Sequence, residues 1–180
     1  SDISAGAVIS TEENINLILN SAKNFGGNLS DYTVWLLERS MKTLFIRVRE
    51  QTNNAKILSK MLEENSNISK VYYPGLESHP SHEVAKNQMK DFGAMMSFDL
   101  NENIDVYKFL KNLKVVKPGM SLAGVETTVN FPMKTSHGLL SQDERDNQGI
   151  GNKLIRLSVG IESYKDLFND LDQAIKNSLI

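Results

Sequence analysis

The sequence predicts an α/β (α+β) sandwich, a sheet covered by helices, and three observations carry that expectation. Apolar residues recur near the helical period across long stretches free of Gly and Pro. Short β-rich runs alternate with helical ones after residue 65, and the chain closes on an amphipathic helix. Ala5 to Ile9 reads as the end of a strand. Ser10 and Glu13 form a capping box, each side chain satisfying a free amide at a helix start. That helix runs through Ile15, Ile18, Leu19 and Ala22 and stops at Gly26-Gly27. Between Asp31 and Glu64 there is no Gly or Pro, and Val34, Leu37, Met41, Leu44, Phe45, Val48, Ala55, Leu58 and Leu62 mark a long helix, straight or kinked, of about 50 Å. Trp35, Leu36 and Leu37 lie on nearly adjacent faces, which predicts burial on more than one side.

The remaining elements follow in order. Val71–Tyr73 is a short strand, Ser81 to Lys90 a helix, and Ala94 to Leu100 a strand with Met96, Phe98 and Leu100 on one face. Asn103 to Leu113 is helical, Lys114-Val115-Val116 is a strand, and Val125 to Val129 is another. Ser141 with Glu144 makes a second capping box. Leu154 to Val159 is a strand carrying an arginine, and Ser163 to Leu179 is a helix whose apolar stripe is Leu167, Phe168, Leu171, Ala174 and Ile175. Strand order is not legible at this level.

Composition narrows the function classes. The 180 residues allow one domain, or a small domain with part of another. Net charge is −2 and the basic residues are not clustered, which argues against a nucleic-acid partner. The given residues contain no apolar run long enough for a membrane helix and no charged-then-apolar pattern of a signal peptide, so the expected setting is cytoplasmic, without a membrane partner. The absence of cysteine removes disulfides, thiolate metal sites and cysteine nucleophiles.

The residue hardest to explain by packing is Arg156, set in Leu154-Ile155-Arg156-Leu157-Ser158-Val159. A guanidinium stays charged, so among apolar neighbours it calls for a carboxylate or phosphate that its planar fork can grip twice. The plainer alternative is an edge-strand arginine facing water or an internal acid. His79, His82 and Glu83 lie close in sequence, but they lack the H-E-x-x-H order, a third histidine or a thiolate, and Pro80 suits a helix start. No metal site is expected there. His137 reads as a capping or packing histidine, or one near the pocket.

Several segments resemble the C-terminal half of the Cys/Met-metabolism family of pyridoxal-phosphate (PLP) enzymes, which includes cystathionine γ-synthase, cystathionine β- and γ-lyases, methionine γ-lyase and homoserine sulfhydrylases. The tags are Arg39-Ser40-Met41-Lys42-Thr43-Leu44, Val71-Tyr72-Tyr73-Pro74-Gly75-Leu76 with Ser78-His79-Pro80, and Phe92-Gly93-Ala94-Met95-Met96-Ser97-Phe98. Ser121-Leu122-Ala123-Gly124-Val125-Glu126, Thr135-Ser136-His137, Gln142-Asp143-Glu144-Arg145 and Arg156-Leu157-Ser158-Val159-Gly160-Ile161-Glu162 complete the series, all in family order. One tag would be weak; the ordered series is specific.

The resemblance implies the C-terminal domain of a fold-type I PLP enzyme, with a mostly antiparallel sheet preceded by a long linking helix. Residues 1–64 would be a remnant of the cofactor-binding domain plus that helix, and 65–180 the C-terminal α/β domain. It implies that Arg156 grips the substrate α-carboxylate and that Ser121 is its companion. Taken alone, a serine before a Gly-containing turn is ordinary turn chemistry. At Met120, cystathionine γ-synthases and γ-lyases usually carry glutamate and methionine γ-lyases a small apolar residue; methionine cannot bond a distal ammonium group. Ala123 and Ser40 stand where the family commonly has glycine.

Ser1-Asp2-Ile3 and Gly6-Ala7-Val8 resemble the stretch that follows the family's cofactor-binding lysine, so the resemblance puts that lysine, and the phosphate-binding and ring-stacking residues, before Ser1. Lys23, Lys42, Lys114 and Lys117 read as solvated or structural. The expected catalytic residues of this chain are therefore none, and PLP, the cofactor of the intact family enzyme, is not expected to be held covalently here. Two readings follow. The chain is the C-terminal portion of a C–S lyase or transferase acting on an amino-acid substrate, partnered by an N-terminal half or by self-association into the family homotetramer. Alternatively, it is a folded interaction domain without chemistry. On either reading the 180-residue chain given PLP is expected not to turn over cystathionine, methionine or O-acylhomoserine; PLP-dependent release of pyruvate or 2-oxobutyrate from pure protein would show otherwise.

Overall fold

The computed structural model describes residues 3–180, so the Ser1-Asp2 end of the first tag lies outside the described residues. The chain divides into two compact units, Ser1–Phe45 and Ile46–Ile180.

In the first unit α1 spans Glu12–Phe25 and α2 spans Asp31–Met41. The expected strand end at Ala5–Ile9 is not formed. That stretch is exposed, Ile9 by 94%, and no strand lies beside it among the described residues to take its amides. The cap of α1 also differs. Thr11, not Ser10, receives the Asn14 amide, at 3.4 Å, while the Ser10 hydroxyl takes the Asn14 side chain, so no box with Glu13 forms. Gly26 and Gly27 end the helix with φ of 79° and 86°, a conformation that favours glycine.

The long helix expected over Asp31–Glu64 is two helices, α2 and α3 (Leu44–Glu63), separated by a turn at Lys42-Thr43. The Thr43 hydroxyl donates to the Ser40 carbonyl at 3.4 Å, a local bond that competes with the helical ladder. Neither α1 nor α2 buries a residue. Trp35 is 54% exposed, and Leu36 and Leu37 are only half-buried, so the predicted two-sided burial is absent.

The second unit is built on a five-stranded sheet of order β1-β2-β5-β4-β3. Its strands are β1 (Ile68–Tyr72), β2 (Met95–Leu100), β3 (Lys117–Pro118), β4 (Thr128–Asn130) and β5 (Leu154–Ser158). All neighbours pair antiparallel except β3 and β4, which are parallel, so the sheet is mostly antiparallel as the resemblance implied. Helices α4 (His82–Gln88), α5 (Val106–Asn112), α6 (Gln142–Asn147) and α7 (Tyr164–Lys176) lie between or after the strands.

Strand alternation fixes which face is covered. Met96, Phe98 and Leu100 of β2 and Ile155 and Leu157 of β5 are buried in one cluster. The same cluster holds Ala55, Leu58 and Leu62 of α3, Phe109 of α5, and Leu167, Leu171, Ala174 and Ile175 of α7. Each fully buried Leu or Ile there stabilises the unit by roughly 2 kcal/mol. The alternate residues of β5, Arg156 and Ser158, necessarily point to the opposite face.

The expected strand at Lys114-Val115-Val116 lies three residues later, at Lys117–Pro118. The three amides of 114–116 are instead committed to one carboxylate, that of Asp170 on α7, at 2.8 to 3.1 Å. The strand expected over Val125–Val129 is likewise confined to Thr128–Asn130, because 121–127 forms a loop described below. Both sheet margins are irregular. On β3, Pro118 has no amide to donate; on β1, the register slips between Ile68 and Lys70, and the Lys70 ammonium lies 4.8 Å from the Tyr72 ring centre. Among the described residues no helix is long and apolar enough to cross a membrane.

Asp170 is 4% exposed. Burial pushes its pKa up, but the Val116, Val115 and Lys114 amides and the Gln173 side chain outweigh this and hold it below the ordinary 3.8. A depressed folded value stabilises the fold above the ordinary carboxylate pKa, and that contribution is lost as pH falls through the folded value. Asp170→Ala is expected to cost about 3 kcal/mol in urea unfolding at neutral pH by leaving three amides without an acceptor. The deficit relative to wild type should narrow below pH 3.8.

Candidate functional site

β5 sits between β2 and β4, so Arg156 is no edge arginine; Ser97 of β2 and Asn130 of β4 are its register partners. Its guanidinium lies against the loop that precedes β4. Nη2 donates to the carbonyls of Met120 and Ser121, each at 3.1 Å. Nε is buried and has no hydrogen-bond partner, and Nη1 makes no hydrogen bond within the described residues. The plain expectation of an internal acid partner is not met, since no carboxylate pairs with this guanidinium among the described residues.

The loop is pinned from several directions. The Thr128 hydroxyl donates to the Ser121 carbonyl at 2.9 Å, and the Ala123 amide donates to the Ser158 hydroxyl at 2.8 Å. Ala123 has φ of 59°, so a residue with a side chain occupies the left-handed region where glycine costs nothing. Glu162 receives the Thr127 amide at 2.7 Å and its hydroxyl at 2.8 Å, and that hydroxyl accepts the Gly160 amide at 2.8 Å. From α3, Gln51 donates to the Gly124 carbonyl at 2.5 Å, and Asn54 donates to the Gly160 and Glu162 carbonyls at 3.1 and 2.8 Å. Gly160 has no room for a side chain, because a Cβ there would meet the Val125 carbonyl and come within 2.7 Å of the Glu126 carbonyl carbon.

This arrangement leaves two donors unused within the described residues: the Nη1 group of Arg156, whose Nη2 is bonded to the Ser121 carbonyl, and the hydroxyl of Ser121 itself. Ser121 is exposed, and Met120, 65% exposed, offers only a thioether beside them. A cation and a hydroxyl so placed suit a carboxylate.

The other candidates lie apart from this network. His79 accepts the Ser81 amide at 3.2 Å; His82 Nδ1 donates to the Pro74 carbonyl at 2.8 Å and stacks on Phe92; Glu83 pairs with Lys86. Among the described residues no group of three or more His, Cys, Asp or Glu is placed to hold a metal. The half-buried His137 bonds the Ser136 hydroxyl at 2.8 Å. The expected capping box at Ser141 and Glu144 is formed, both of its bonds being present.

Sequence reasoning passed over Gln51, Asn54 and Thr127, and it quoted Ser158 and Glu162 only as parts of a tag. A signal was available for two of them. Gln51 and Asn54 fall on the face of α3 that carries Ala55, Leu58 and Leu62, where a polar residue needs a partner.

Comparison with known proteins agrees with the tags. Residues 1–176 match the family model for the Cys/Met metabolism PLP-dependent enzyme. The chain belongs to that family. It is 38% identical over 177 residues to the cystathionine beta-lyase of Lactococcus lactis subsp. cremoris (strain MG1363), covering 98% of this chain and 47% of that protein. With the L-methionine gamma-lyase of Fusobacterium nucleatum subsp. polymorphum it shares 39% identity over 178 residues, 97% of this chain and 45% of the relative. The crystal structure of cystathionine gamma-lyase from Lactobacillus plantarum, complexed with L-serine, superposes with a TM-score of 0.88 at 34% identity, covering 95% of this chain and 45% of that one. The chain thus spans about half the length of the curated relatives it matches, and its neighbours are fold-type I PLP enzymes.

Gly160→Ala is expected to destabilise the second unit by about 3 kcal/mol, read as a lowered urea midpoint, because the rigid backbone of 125–126 leaves the new methyl nowhere to go.

Proposed function

We propose that this chain is the C-terminal portion of a PLP-dependent C–S lyase or transferase of sulfur amino-acid metabolism, of the cystathionine or methionine type, and that it supplies the clamp for the substrate α-carboxylate. Residues 1–64 then belong to the cofactor-binding part and the linking region, and 65–180 to the C-terminal α/β domain. The observation that carries the reading is the division of labour on Arg156: Nη2 is tied to two loop carbonyls while Nη1 is left without a protein partner.

In this reading Nη1 and the Ser121 hydroxyl take the carboxylate, and Met120 lies beside the substrate side chain. Gripping the carboxylate at two points fixes the rotation about the bond to Cα, so the Cα–H bond is presented in one direction. Neutral backbone acceptors leave the guanidinium its full charge for the ligand. PLP, when bound, supplies the electron sink for this chemistry. The groups described around Arg156 fit the amino-acid end of such a complex: one open guanidinium nitrogen, one free hydroxyl and backbone carbonyls, with the Glu162 carboxylate already committed to Thr127.

The exposed apolar residues of the first unit, among them Ile9, Phe25 and Trp35, support covering by an N-terminal half or by a second copy. The 180-residue chain alone should therefore sediment above its monomer mass; a clean monomer that binds no hydrophobic dye would remove this part of the proposal. Arg156→Ala in the full-length protein should raise KM and lower kcat together, cutting kcat/KM for the amino-acid substrate by about a hundredfold, with little change in cofactor content. Unchanged kinetics would remove Arg156 from the site.

A further inference from the structure

Two buried donors without partners lie on residues that are paired in register on adjacent strands. Asn130, 3% exposed, stands directly opposite Arg156 in the antiparallel register of β4 and β5, and the two side chains share a face at a separation of roughly 5 Å between Cβ atoms. Asn130 Nδ2 and Arg156 Nε are both buried and unbonded. Two donors cannot satisfy each other, and each unpaired group costs about 1–3 kcal/mol.

The other end of the Asn130 amide points to the resolution. The Thr135 hydroxyl lies 2.7 Å from Asn130 Oδ1 and 2.9 Å from the Phe131 carbonyl. Both atoms are acceptors, yet a hydroxyl has one proton to give. Turning the amide by half a revolution removes all three defects. Nδ2 then donates to the Thr135 oxygen, the Thr135 proton goes to the Phe131 carbonyl, and Oδ1 comes to the place where Nδ2 stood, opposite the Arg156 Nε–H. The two ends of an amide have nearly the same shape, so the turn leaves packing unchanged.

We infer that Asn130, held by Thr135, is the positioning residue for Arg156: its amide oxygen accepts the Nε–H and fixes the guanidinium plane. With Nε held by Asn130 and Nη2 by the Met120 and Ser121 carbonyls, the fork is anchored on one side and Nη1 alone is turned to a ligand. The inference deepens the proposed carboxylate clamp and rests on that reading for its consequence, though not for the bond itself.

The test separates the two. In full-length protein labelled with ¹⁵N-arginine, the Arg156 Nε–H signal, assigned by its loss in Arg156→Lys, should exchange slowly with solvent. Asn130→Ala should speed that exchange at least tenfold and leave other arginines unchanged. Asn130→Asp, which keeps an acceptor, should hold it slow. In the same proteins the affinity for L-methionine should fall roughly tenfold in Asn130→Ala, while that for 3-(methylthio)propylamine, which lacks the carboxylate, stays constant. Exchange unaltered in Asn130→Ala, or equally fast in wild type and both variants, overturns the inference. If Asn130→Ala fails to fold, fast exchange in Asn130→Asp overturns it alone. Slow exchange in wild type and Asn130→Asp, with L-methionine binding untouched by Arg156→Ala, would instead sustain the Asn130–Arg156 bond and discard the carboxylate reading.

Discussion

The second unit is organised around a positive charge laid against backbone carbonyls. Had Arg156 met an internal carboxylate, the pair would have neutralised itself and left nothing for a ligand. Carbonyl acceptors satisfy the hydrogen-bonding needs of Nη2 but carry no net charge, so the guanidinium keeps its attraction for an anion. The cost passes to the loop, whose two carbonyls at 120 and 121 must both face the strand. That geometry uses the left-handed backbone at Ala123 and the side-chain bonds from Thr128, Ser158, Glu162 and Gln51.

Rigidity around Arg156 comes from the other face of the same strand. Ile155 and Leu157 flank Arg156 in sequence and are completely buried against α3 and α7 in the common core. A strand fixed at alternate residues cannot slide by one position without turning its apolar set to the wrong side. The arginine is therefore placed by packing and aimed by hydrogen bonds. Gln51 and Asn54 connect these two functions, since α3 contributes both core side chains and ties to the loop.

The sequence made the periodic features legible. The buried faces of β2 and α7, the second capping box and the arginine-bearing strand follow from spacing and side-chain chemistry that act over a few residues. Failures came where a distant group decided the outcome. The amides of 114–116 left strand pairing for Asp170, more than fifty positions away in sequence. The break between α2 and α3, where the Thr43 hydroxyl bonds the Ser40 carbonyl, leaves no mark in the apolar periodicity. For the candidate site, Arg156 was singled out by its apolar setting and Ser121 by resemblance. The acceptors of Arg156 were not foreseeable, because they are main-chain carbonyls that any residue type carries.

The sheet margins have a further consequence. An open strand edge invites another chain to continue the ladder, yet here one border is a two-residue strand ending in Pro118, and the opposite border has a slipped register and bears a lysine. Neither rim offers the flat, regular row of free amides and carbonyls that strand addition requires. Among the described residues, continuation of this sheet by a strand of another copy is therefore disfavoured at both borders.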